Sequence, residues 1–391
     1  MKDLNPGAAA SSPSQLVALG QALFFRATDP AHGAELWRSD GTEAGTTLVK
    51  DIQPGRGGSS PGIVAGDRLF LAADDGAVGR ELWKSDGSTA GTVRVKDIRP
   101  GPMGSSIASL TLVGDRLYFA ADDGSGRGTE LWKSNGNPGG TVLVKDIAPG
   151  PASSSPASLT AVGGRLFFTA DDGVSGVELW TSDGTEGGTV RVEDIRPGVA
   201  SSTPSELTAA DGWLVFSACD SAGCELWASD GFEPGTRRVA DIWPGPPSSN
   251  PGSFTLSGSL VYFAADDGLT GRELWAVPRS ALLDDADGDR LSDATESALG
   301  TVLEDPDSDD DGLDDGSEVN RYGTDPLAPD TDGDGIPDGL EVSLGSDPLD
   351  ARSFAIPAPG LAPAGLAILA SALAACAWVR LRGASNARPP F

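Results

Sequence analysis

The chain has 391 residues, of which 57 are acidic and 28 basic, and its formal net charge is −29 at pH 7. A surface with this charge repels nucleic acid and anionic membranes and attracts cations and basic partners. The acidic residues are concentrated in residues 284–350, which contain 23 Asp or Glu and only two Arg. The uneven charge predicts three domains, at residues 1–283, 284–350 and 351–391.

Residues 1–283 contain a sequence repeat. The tripeptide Glu-Leu-Trp occurs six times, and its tryptophans lie 46 to 49 residues apart, at Trp37, Trp83, Trp132, Trp180, Trp227 and Trp275. A second marker, Asp-Ile-x-Pro-Gly, keeps the same period and begins at Asp51, Asp97, Asp146, Asp194 and Asp241. An altered copy of this marker begins at Asp3. A fixed period of this length indicates a repeat architecture.

Each unit contains four short apolar runs separated by turn signals. In the third unit these runs are Leu110–Val113, Leu117–Ala120, Glu130–Trp132 and Val142–Val144. Four antiparallel strands in about 48 residues make a β-propeller blade, so the sequence predicts an all-β fold with a six-bladed propeller. An open β-solenoid or a string of small sheets is the alternative, but ring closure removes exposed sheet edges. We expect the tryptophan of each unit to pack between neighbouring sheets.

The first unit carries the pattern Glu-Leu-Trp-x-x-Asp-Gly-Thr from Glu35 to Thr42. In this pattern the repeats resemble the ELWxxDGT repeats of bacterial surface proteins, and the resemblance extends over most of residues 1–283. It implies an exported surface protein built from repeats, and it does not imply a particular ligand or activity.

Whether six units can close into a ring depends on how the strands of the first and last units are divided along the chain. The sixth unit stops after its third strand, at Ala276-Val277-Pro278, whereas Lys2-Asp3-Leu4 corresponds to the end of a fourth strand. Pairing of this N-terminal piece with the last unit would close a ring, although the preceding part of the strand is missing. We therefore expect the gene to begin upstream of Met1, where an export signal and the rest of that strand would lie.

The loops between second and third strands would lie on one face of a propeller, together with the connections between units. These loops carry acidic residues at Asp74, Asp75, Glu81, Asp122, Asp123, Glu130, Asp171, Asp172, Glu178, Asp266, Asp267 and Glu273. Such a face would suit cations or basic partners. Turn chemistry is the simpler explanation of the Asp and Gly residues, and we favour it.

The fifth unit carries Cys219 and Cys224 on either side of a short loop. Residues at these positions face each other when the flanking strands pair, so a cross-strand disulfide and an oxidising compartment are expected. Two unpaired thiols are the alternative.

Residues 284–350 contain three copies of one carboxylate pattern. Carboxylates fall at positions 1, 3, 5, 9 and 12 of each copy, which is the ligand spacing of a calcium loop. The predicted Ca²⁺ ligands are Asp285, Asp287, Asp289, Asp293 and Glu296 in the first copy, Asp307, Asp309, Asp311, Asp315 and Glu318 in the second, and Asp330, Asp332, Asp334, Asp338 and Glu341 in the third. A disordered acidic tail is the alternative, but it would not repeat all five positions three times.

The three copies lie 22 and 23 residues apart, which leaves no room for the paired helices of an EF-hand. They resemble thrombospondin type 3 repeats, a resemblance that implies an irregular stalk wrapped around calcium ions with little hydrophobic core. Position 6 is Gly312 and Gly335 in the second and third copies but Arg290 in the first. We expect the first site to bind calcium most weakly, because Arg290 places a cation beside it.

The C-terminal segment contains an uncharged stretch, Leu361 to Val379, followed by Arg380 and Arg382. Nineteen residues of this kind are long enough to cross a bilayer as one hydrophobic helix. The stretch and the residues before it resemble bacterial sorting signals of the PEP-CTERM type, although Ala358 stands where that family usually has Glu. A sorting signal or a membrane anchor at residues 361–379 is therefore predicted, and a core helix is the alternative.

The combined features predict a calcium-binding protein that is exported to the cell surface or outer envelope. The head would bind an extracellular protein or polysaccharide, or serve as a structural component on its calcium-stabilised stalk. An extracellular propeller hydrolase or lyase is the alternative. We do not favour an enzyme, because the repeats are nearly alike and His32 is the only histidine. A passive surface-layer component is a third possibility.

Overall fold

The computed structural model describes residues 2–55 and 59–353, and the predicted membrane or sorting segment at residues 361–379 lies outside them. The chain divides into two compact units. Of the described residues, those up to 308 and 314–323 form unit 1, and 309–313 and 324–353 form unit 2. The first calcium-type loop therefore lies in the same unit as the repeats, whereas the sequence analysis places a boundary at residue 284.

The described residues of unit 1 form six antiparallel sheets, in each of which the strand order follows the chain. The first three sheets have four strands each. Sheet 1 contains β1 (Ser14–Leu19), β2 (Ala22–Asp29), β3 (Gly33–Ser39) and β4 (Thr47–Lys50). Sheet 2 contains β5 (Ser60–Ala65), β6 (Arg68–Asp74), β7 (Arg80–Ser85) and β8 (Val93–Lys96). Sheet 3 contains β9 (Ala108–Val113), β10 (Arg116–Asp122), β11 (Thr129–Ser134) and β12 (Val142–Lys145).

The next two sheets repeat this arrangement, and the sixth is shorter. Sheet 4 contains β13 (Ala157–Val162), β14 (Arg165–Asp171), β15 (Val177–Ser182) and β16 (Val190–Arg191). Sheet 5 contains β17 (Ser205–Ala210), β18 (Trp213–Asp220), β19 (Gly223–Ser229) and β20 (Thr236–Ala240). Sheet 6 contains only β21 (Gly252–Ser257), β22 (Leu260–Asp266) and β23 (Arg272–Pro278). The all-β repeat predicted from the sequence is therefore confirmed, with four strands in five of its six units.

Consecutive sheets pack face to face through apolar side chains. Phe119 and Trp132 of sheet 3, for example, lie in one buried cluster with Phe70 and Leu82 of sheet 2. The second and third strands read as apolar runs because both of their faces are covered in this way. Trp83, Trp132, Trp180 and Trp227 are only 6–7% exposed and lie in such clusters, as expected from the sequence. Trp37 is 5% exposed but packs with Leu4 of the N-terminal segment rather than with a second sheet.

A buried glutamate joins each of the first five sheets to the connection that follows it. These residues are Glu35, Glu81, Glu130, Glu178 and Glu225, and all are fully buried. Glu130 accepts hydrogen bonds from the Ser154 hydroxyl (2.6 Å), the Ser154 N–H (3.0 Å) and the Ile147 N–H (2.9 Å). The hydroxyls of Ser59, Ser105, Ser202 and Ser249 donate to the other four glutamates. We call this arrangement the glutamate latch.

The latch corrects one expectation about the loops. Glu81, Glu130 and Glu178 do not contribute to an acidic outer face, because they are buried and accept hydrogen bonds from the chain itself. The loop aspartates cap turns, as the favoured explanation predicts. Asp122 and Asp171, for example, accept from the N–H groups two residues further on, both at 2.7 Å.

The N-terminal segment does not pair with the sixth sheet. Among the described residues, β23 pairs only with β22, and the residues before β1 form no strand. Leu4 instead packs on sheet 1, in one cluster with Phe25, Ala27 and Trp37. The Lys2 ammonium donates to the Thr46 carbonyl at 2.9 Å.

Cys219 and Cys224 lie directly opposite each other on β18 and β19, and a disulfide joins them. This is the cross-strand arrangement that their spacing predicts. No helix within residues 2–55 and 59–353 has both the length and the apolar character needed to cross a membrane.

Removal of a latch carboxylate should destabilise the sheets. We expect Glu130→Ala to lower the free energy of unfolding by roughly 2–4 kcal/mol, because Ser154 and Ile147 then keep buried donors without an acceptor. The measurement is denaturant unfolding of the full chain, followed by tryptophan fluorescence. Glu273→Ala is the matched control, since Glu273 holds the same repeat position but is exposed. Equal losses in the two variants would contradict a structural role for the latch.

Candidate metal centre

Each of the three acidic loops leads into a short helix that begins at position 9. These helices are α1 (Asp293–Leu299), α2 (Asp315–Ser317) and α3 (Asp338–Leu344), and a π-helical turn, Glu318–Tyr322, continues α2. Positions 9 and 12 lie three residues apart in the helical turn, so both face the loop that precedes them. The segment is therefore less irregular than the thrombospondin-type resemblance implies.

The first loop, in unit 1, brings its first three carboxylates together. Oxygens of Asp285, Asp287 and Asp289 lie within 4.8 Å of one another. Backbone N–H groups hold these side chains in place: Gly288 donates to Asp285 (2.8 Å) and Leu291 donates to Asp289 (2.7 Å). Three carboxylates at this separation repel one another unless a cation or protons lie between them.

The third loop, in unit 2, has the same geometry. Oxygens of Asp330, Asp332 and Asp334 lie within 4.8 Å of one another. The Gly333 N–H donates to Asp330 at 2.9 Å and the Ile336 N–H donates to Asp334 at 2.9 Å. Positions 1, 3 and 5 therefore form one acidic group in each of these two loops.

The second loop is divided between the two units, so its parts are described separately. In unit 2, the Leu313 N–H donates to Asp311 at 2.8 Å, as the corresponding residues do in the other loops. In unit 1, Asp315 and Glu318 are fully buried. The predicted ligand Asp307 lies in unit 1, and Asp309 lies in unit 2.

The aspartate at position 9 holds the start of its own loop. The N–H groups at position 2 donate to it in all three loops: Ala286 to Asp293 (2.8 Å), Ser308 to Asp315 (2.8 Å) and Thr331 to Asp338 (3.0 Å). The Ser308 hydroxyl also donates to Asp315, at 2.6 Å. The structure thus gives position 9 a loop-closing contact, and its direct coordination of calcium stays a prediction.

The glutamate at position 12 is fully buried in every loop. In the first loop, both carboxylate oxygens of Glu296 are buried and accept no hydrogen bond from the described residues. Burial, reinforced by the charge of Asp287, raises the pKa of Glu296 to about 8. Burial also raises the pKa of Asp289 to about 7 and that of Glu341 to about 7.

Buried carboxylate oxygens without a donor are unusual in proteins, and several of them close together favour a bound cation. In the acidic loops such oxygens belong to Asp287, Asp332 and Asp334, one each, and to Glu296 and Glu341, two each. These oxygens belong to ligand positions 3, 5 and 12. Single oxygens of this kind also occur in the repeat region, at Asp51, Asp97, Asp146, Asp194 and Glu193. Ca²⁺ prefers several hard oxygen ligands arranged around one point. The carboxylates of the acidic loops therefore fit this ion.

Consecutive loops are connected through position 5. The second oxygen of Asp289 accepts from the Gly316 N–H at 2.7 Å, within unit 1. In unit 2 the second oxygen of Asp311 accepts from the Gly339 N–H, also at 2.7 Å. A Cβ atom at Gly316 would lie 2.2 Å from the Asp289 carbonyl oxygen, so this position requires glycine. The role of Gly316 and Gly339 is not predicted by the carboxylate pattern, although both occupy position 10 of their loops.

Position 6 needs a left-handed backbone in all three loops. Its φ is +94° at Gly312 and +95° at Gly335, and Arg290 adopts +78° at the same position. Glycine adopts this conformation without strain, whereas a residue with a Cβ does not. The aliphatic part of the Arg290 side chain lies against Gly212, at the turn between β17 and β18.

The first loop is fixed to sheet 5 by polar contacts. The hydroxyls of Ser292 and Thr295 both donate to one carboxylate oxygen of Asp230, at 2.7 and 2.6 Å. Ser292 is also the N-cap of α1, where its hydroxyl accepts from the Thr295 N–H. Leu291, between Arg290 and Ser292, is fully buried. These contacts explain why the first loop belongs to the same compact unit as the sheets.

The comparison with protein families identifies the last two loops. The model of the bacterial TSP3 repeat matches residues 307–329 and 330–351. These residues are therefore similar to bacterial thrombospondin type 3 repeats, as their carboxylate spacing indicates, and this similarity supports calcium binding at them. The match does not include residues 285–296, the loop that carries Arg290. No curated protein matches the chain.

The sheets are similar to several solved structures at low sequence identity. A puromycin hydrolase is 15% identical, with 69% of this chain and 52% of that chain covered and a TM-score of 0.34. The designed Ika8 protein is 15% identical, with coverages of 70% and 87% and a TM-score of 0.33. A structure from a study of two prolyl endopeptidases is 12% identical, with coverages of 71% and 43% and a TM-score of 0.44. This chain thus spans about half of the hydrolase, and these similarities are too weak to assign it an activity.

Stability should fall as the pH rises without calcium, and this fall should disappear with calcium. In EDTA, the raised pKa values mean that the folded loops hold protons that the unfolded chain releases. Stability from these groups is therefore greatest below their unfolded pKa values, near 4.5. It is lost as the pH rises through the folded values of about 7 to 8.

Saturating calcium should remove this loss, because the ion binds the ionised carboxylates. The measurement is thermal unfolding of the full chain between pH 5 and 8, with EDTA and with calcium. Glu296→Gln is the control, because it keeps the shape of the side chain but cannot ionise. A melting temperature in EDTA that rises steadily from pH 5 to 8 would contradict this prediction.

Replacement of Arg290 by glycine should strengthen the first site. The left-handed backbone at residue 290 costs about 1 kcal/mol with a Cβ present, and loop ordering is coupled to binding. We expect Arg290→Gly to raise calcium affinity severalfold, measured by calorimetry in a background carrying Asp311→Ala and Asp334→Ala. Arg290→Met removes the charge but keeps the Cβ, so it separates the electrostatic contribution from the backbone contribution. An unchanged affinity for Arg290→Gly would disprove the backbone argument.

Proposed function

We propose that the protein is a calcium-dependent, exported cell-surface protein whose acidic repeats order only when calcium binds. The observation that carries this proposal is the set of buried carboxylate oxygens without donors at Asp287, Glu296, Asp332 and Asp334. The bacterial TSP3 repeat match at residues 307–351 supports the same ion. We expect an affinity on the order of 10⁻⁴–10⁻³ M, as in other extracellular calcium modules.

The physical basis of this dependence is charge repulsion. Residues 284–350 carry 23 acidic residues and only two basic ones, so their ionised carboxylates destabilise the ordered segment. Few large apolar side chains are buried there, Leu291 and Leu313 being two of them. Calcium replaces the repulsion with ligand bonds, so ion binding and folding of the segment are one event.

The six sheets form the head in this proposal. Consecutive sheets pack face to face and keep the strand order of the chain, which supports a propeller-type array of blades. We assign the head a binding or structural role toward an extracellular protein or polysaccharide. His32 pairs with Asp29 at 2.7 Å in a turn of the first unit, which supports a structural role for this side chain. The C-terminal segment would anchor the protein or sort it to the envelope.

Removal of one ligand tests calcium binding. Asp334→Ala should weaken the third site by roughly tenfold or more, because it removes a carboxylate from the group formed with Asp330 and Asp332. Calorimetry of the full chain with calcium, together with limited proteolysis in calcium and in EDTA, measures the effect. Glu304→Ala is the matched control, since it removes one exposed negative charge outside the ligand pattern.

The outcomes of this experiment separate the two interpretations of the acidic segment. Loss of one binding event in Asp334→Ala, with normal binding in Glu304→Ala, supports a built calcium site. Equal protease sensitivity in calcium and in EDTA, with no heat at millimolar calcium, would show that the segment is only an acidic spacer. Protease added to intact cells tests export, because a surface protein is digested while cytoplasmic proteins survive.

A further inference from the structure

The five joints between consecutive sheets share the same parts. In each joint the latch glutamate accepts a serine hydroxyl from the connecting segment that leads to the next sheet. In three of them, the leucine after the glutamate pairs with the lysine before Asp-Ile, as Leu36 does with Lys50. That lysine then donates to a threonine carbonyl of the next sheet, as Lys50 does to Thr92 at 2.7 Å. A joint thus has a glutamate-bearing strand on one side and, on the other, a connecting segment that carries the latch serine and, in three of the five joints, begins at a lysine.

Sheet 6 presents the glutamate-bearing side of this joint, and none of the described residues covers it. Leu274 is 75% exposed, whereas the leucines at the same position in the five other sheets are fully buried. Glu273 is exposed as well, although the five latch glutamates are fully buried. Within the described residues, β23 has no fourth strand beside it. An exposed strand edge of this kind is a template for pairing with another chain.

Residues 2–13 present the other side of the same joint. The Lys2 ammonium donates to the Thr46 carbonyl and lies 6.0 Å from the centre of the Trp37 ring, as Lys50 and Lys96 lie near the tryptophans of the next sheets. Leu4 is buried on sheet 1, where the isoleucine of the other copies would lie. The Ser11 carbonyl accepts from the Thr28 N–H, as the latch serines do in their sheets.

Among the described residues, no glutamate lies at the half-joint formed by residues 2–13. Each latch serine donates its hydroxyl to a buried glutamate, but the Ser11 hydroxyl donates to none of the described residues. The two incomplete surfaces are complementary. Sheet 6 offers the Glu273 acceptor and the exposed Leu274, and residues 2–13 offer the donor segment. They are not joined to each other within one chain, since Glu273 and Leu274 are exposed.

We propose that sheet 6 of one chain binds residues 2–13 of a second copy, head to tail, and so rebuilds the joint found between consecutive sheets. In this contact Leu274 lies opposite Lys2, in the register of Leu36 and Lys50. The Glu273 carboxylate accepts the Ser11 hydroxyl and the backbone N–H groups beside Leu4. The contact is heterologous, so it leads to rings or open filaments rather than to closed two-fold dimers.

The test is sedimentation velocity of the full chain over a range of concentrations, in calcium and a mild detergent. We expect the unaltered chain to form a concentration-dependent series of oligomers. Leu274→Arg blocks one end and Ser11→Asp blocks the other, because it places a second carboxylate against Glu273. Each variant should weaken association by about tenfold or more. Leu269→Arg is the matched control, since Leu269 is 91% exposed in a loop of the same sheet.

Mixing the two blocked variants gives the sharpest outcome. A head-to-tail joint predicts that the Leu274→Arg and Ser11→Asp chains form a one-to-one heterodimer that grows no further, because each retains the end that the other lacks. Circular dichroism of each variant checks that its fold is unchanged. A monomeric unaltered chain at all concentrations, or a mixture that fails to associate, would overturn the proposal.

A crosslink distinguishes binding between chains from closure within one chain. Ser11→Cys and Glu273→Cys are introduced together with Cys376→Ser, and the oxidised protein is separated without reductant. A ladder of linked chains supports the head-to-tail contact. A link within single chains would show that the two ends close on each other, and no link at all would refute the joint in both forms.

Discussion

Burial of a carboxylate is costly unless a donor or a cation lies beside it, and the two parts of the protein meet this cost in different ways. The five latch glutamates receive hydrogen bonds from a serine hydroxyl and backbone N–H groups, so they connect sheets without an ion. The carboxylates of the acidic loops crowd together, and several of their buried oxygens receive none. The same functional group therefore connects sheets through hydrogen bonds in one region and favours cation binding in the other.

The repetitive features of the molecule could be predicted from sequence because each depends on local spacing. The period of Glu-Leu-Trp predicts six sheets, and positions 1, 3 and 5 of the acidic pattern predict the two close carboxylate groups at Asp285–Asp289 and Asp330–Asp334. Trp83, Trp132, Trp180 and Trp227 also lie buried between sheets as expected. Such predictions succeed because a short segment determines each of them.

The features that the sequence did not predict depend on contacts between distant segments. The glutamate of Glu-Leu-Trp looks like a surface residue until the serine 24 positions later is brought to it. Gly316 looks like an ordinary turn glycine until the Asp289 carbonyl is found where its Cβ would lie. The first loop belongs with the sheets because Asp230 lies more than sixty positions before its partners Ser292 and Thr295.

That contact at Asp230 has a thermodynamic consequence. In the sequence, Ser292 and Thr295 lie between the acidic group of the first loop and Glu296. Because both hydroxyls donate to Asp230, the geometry of that loop depends on the position of the end of sheet 5. Linkage is reciprocal: if an ion tightens the loop, it stabilises the sheet, and any loosening of the sheet lowers the affinity for the ion by the same factor. Mechanical loosening of the repeat array would therefore release calcium, and a rise in the surrounding calcium concentration would oppose that loosening.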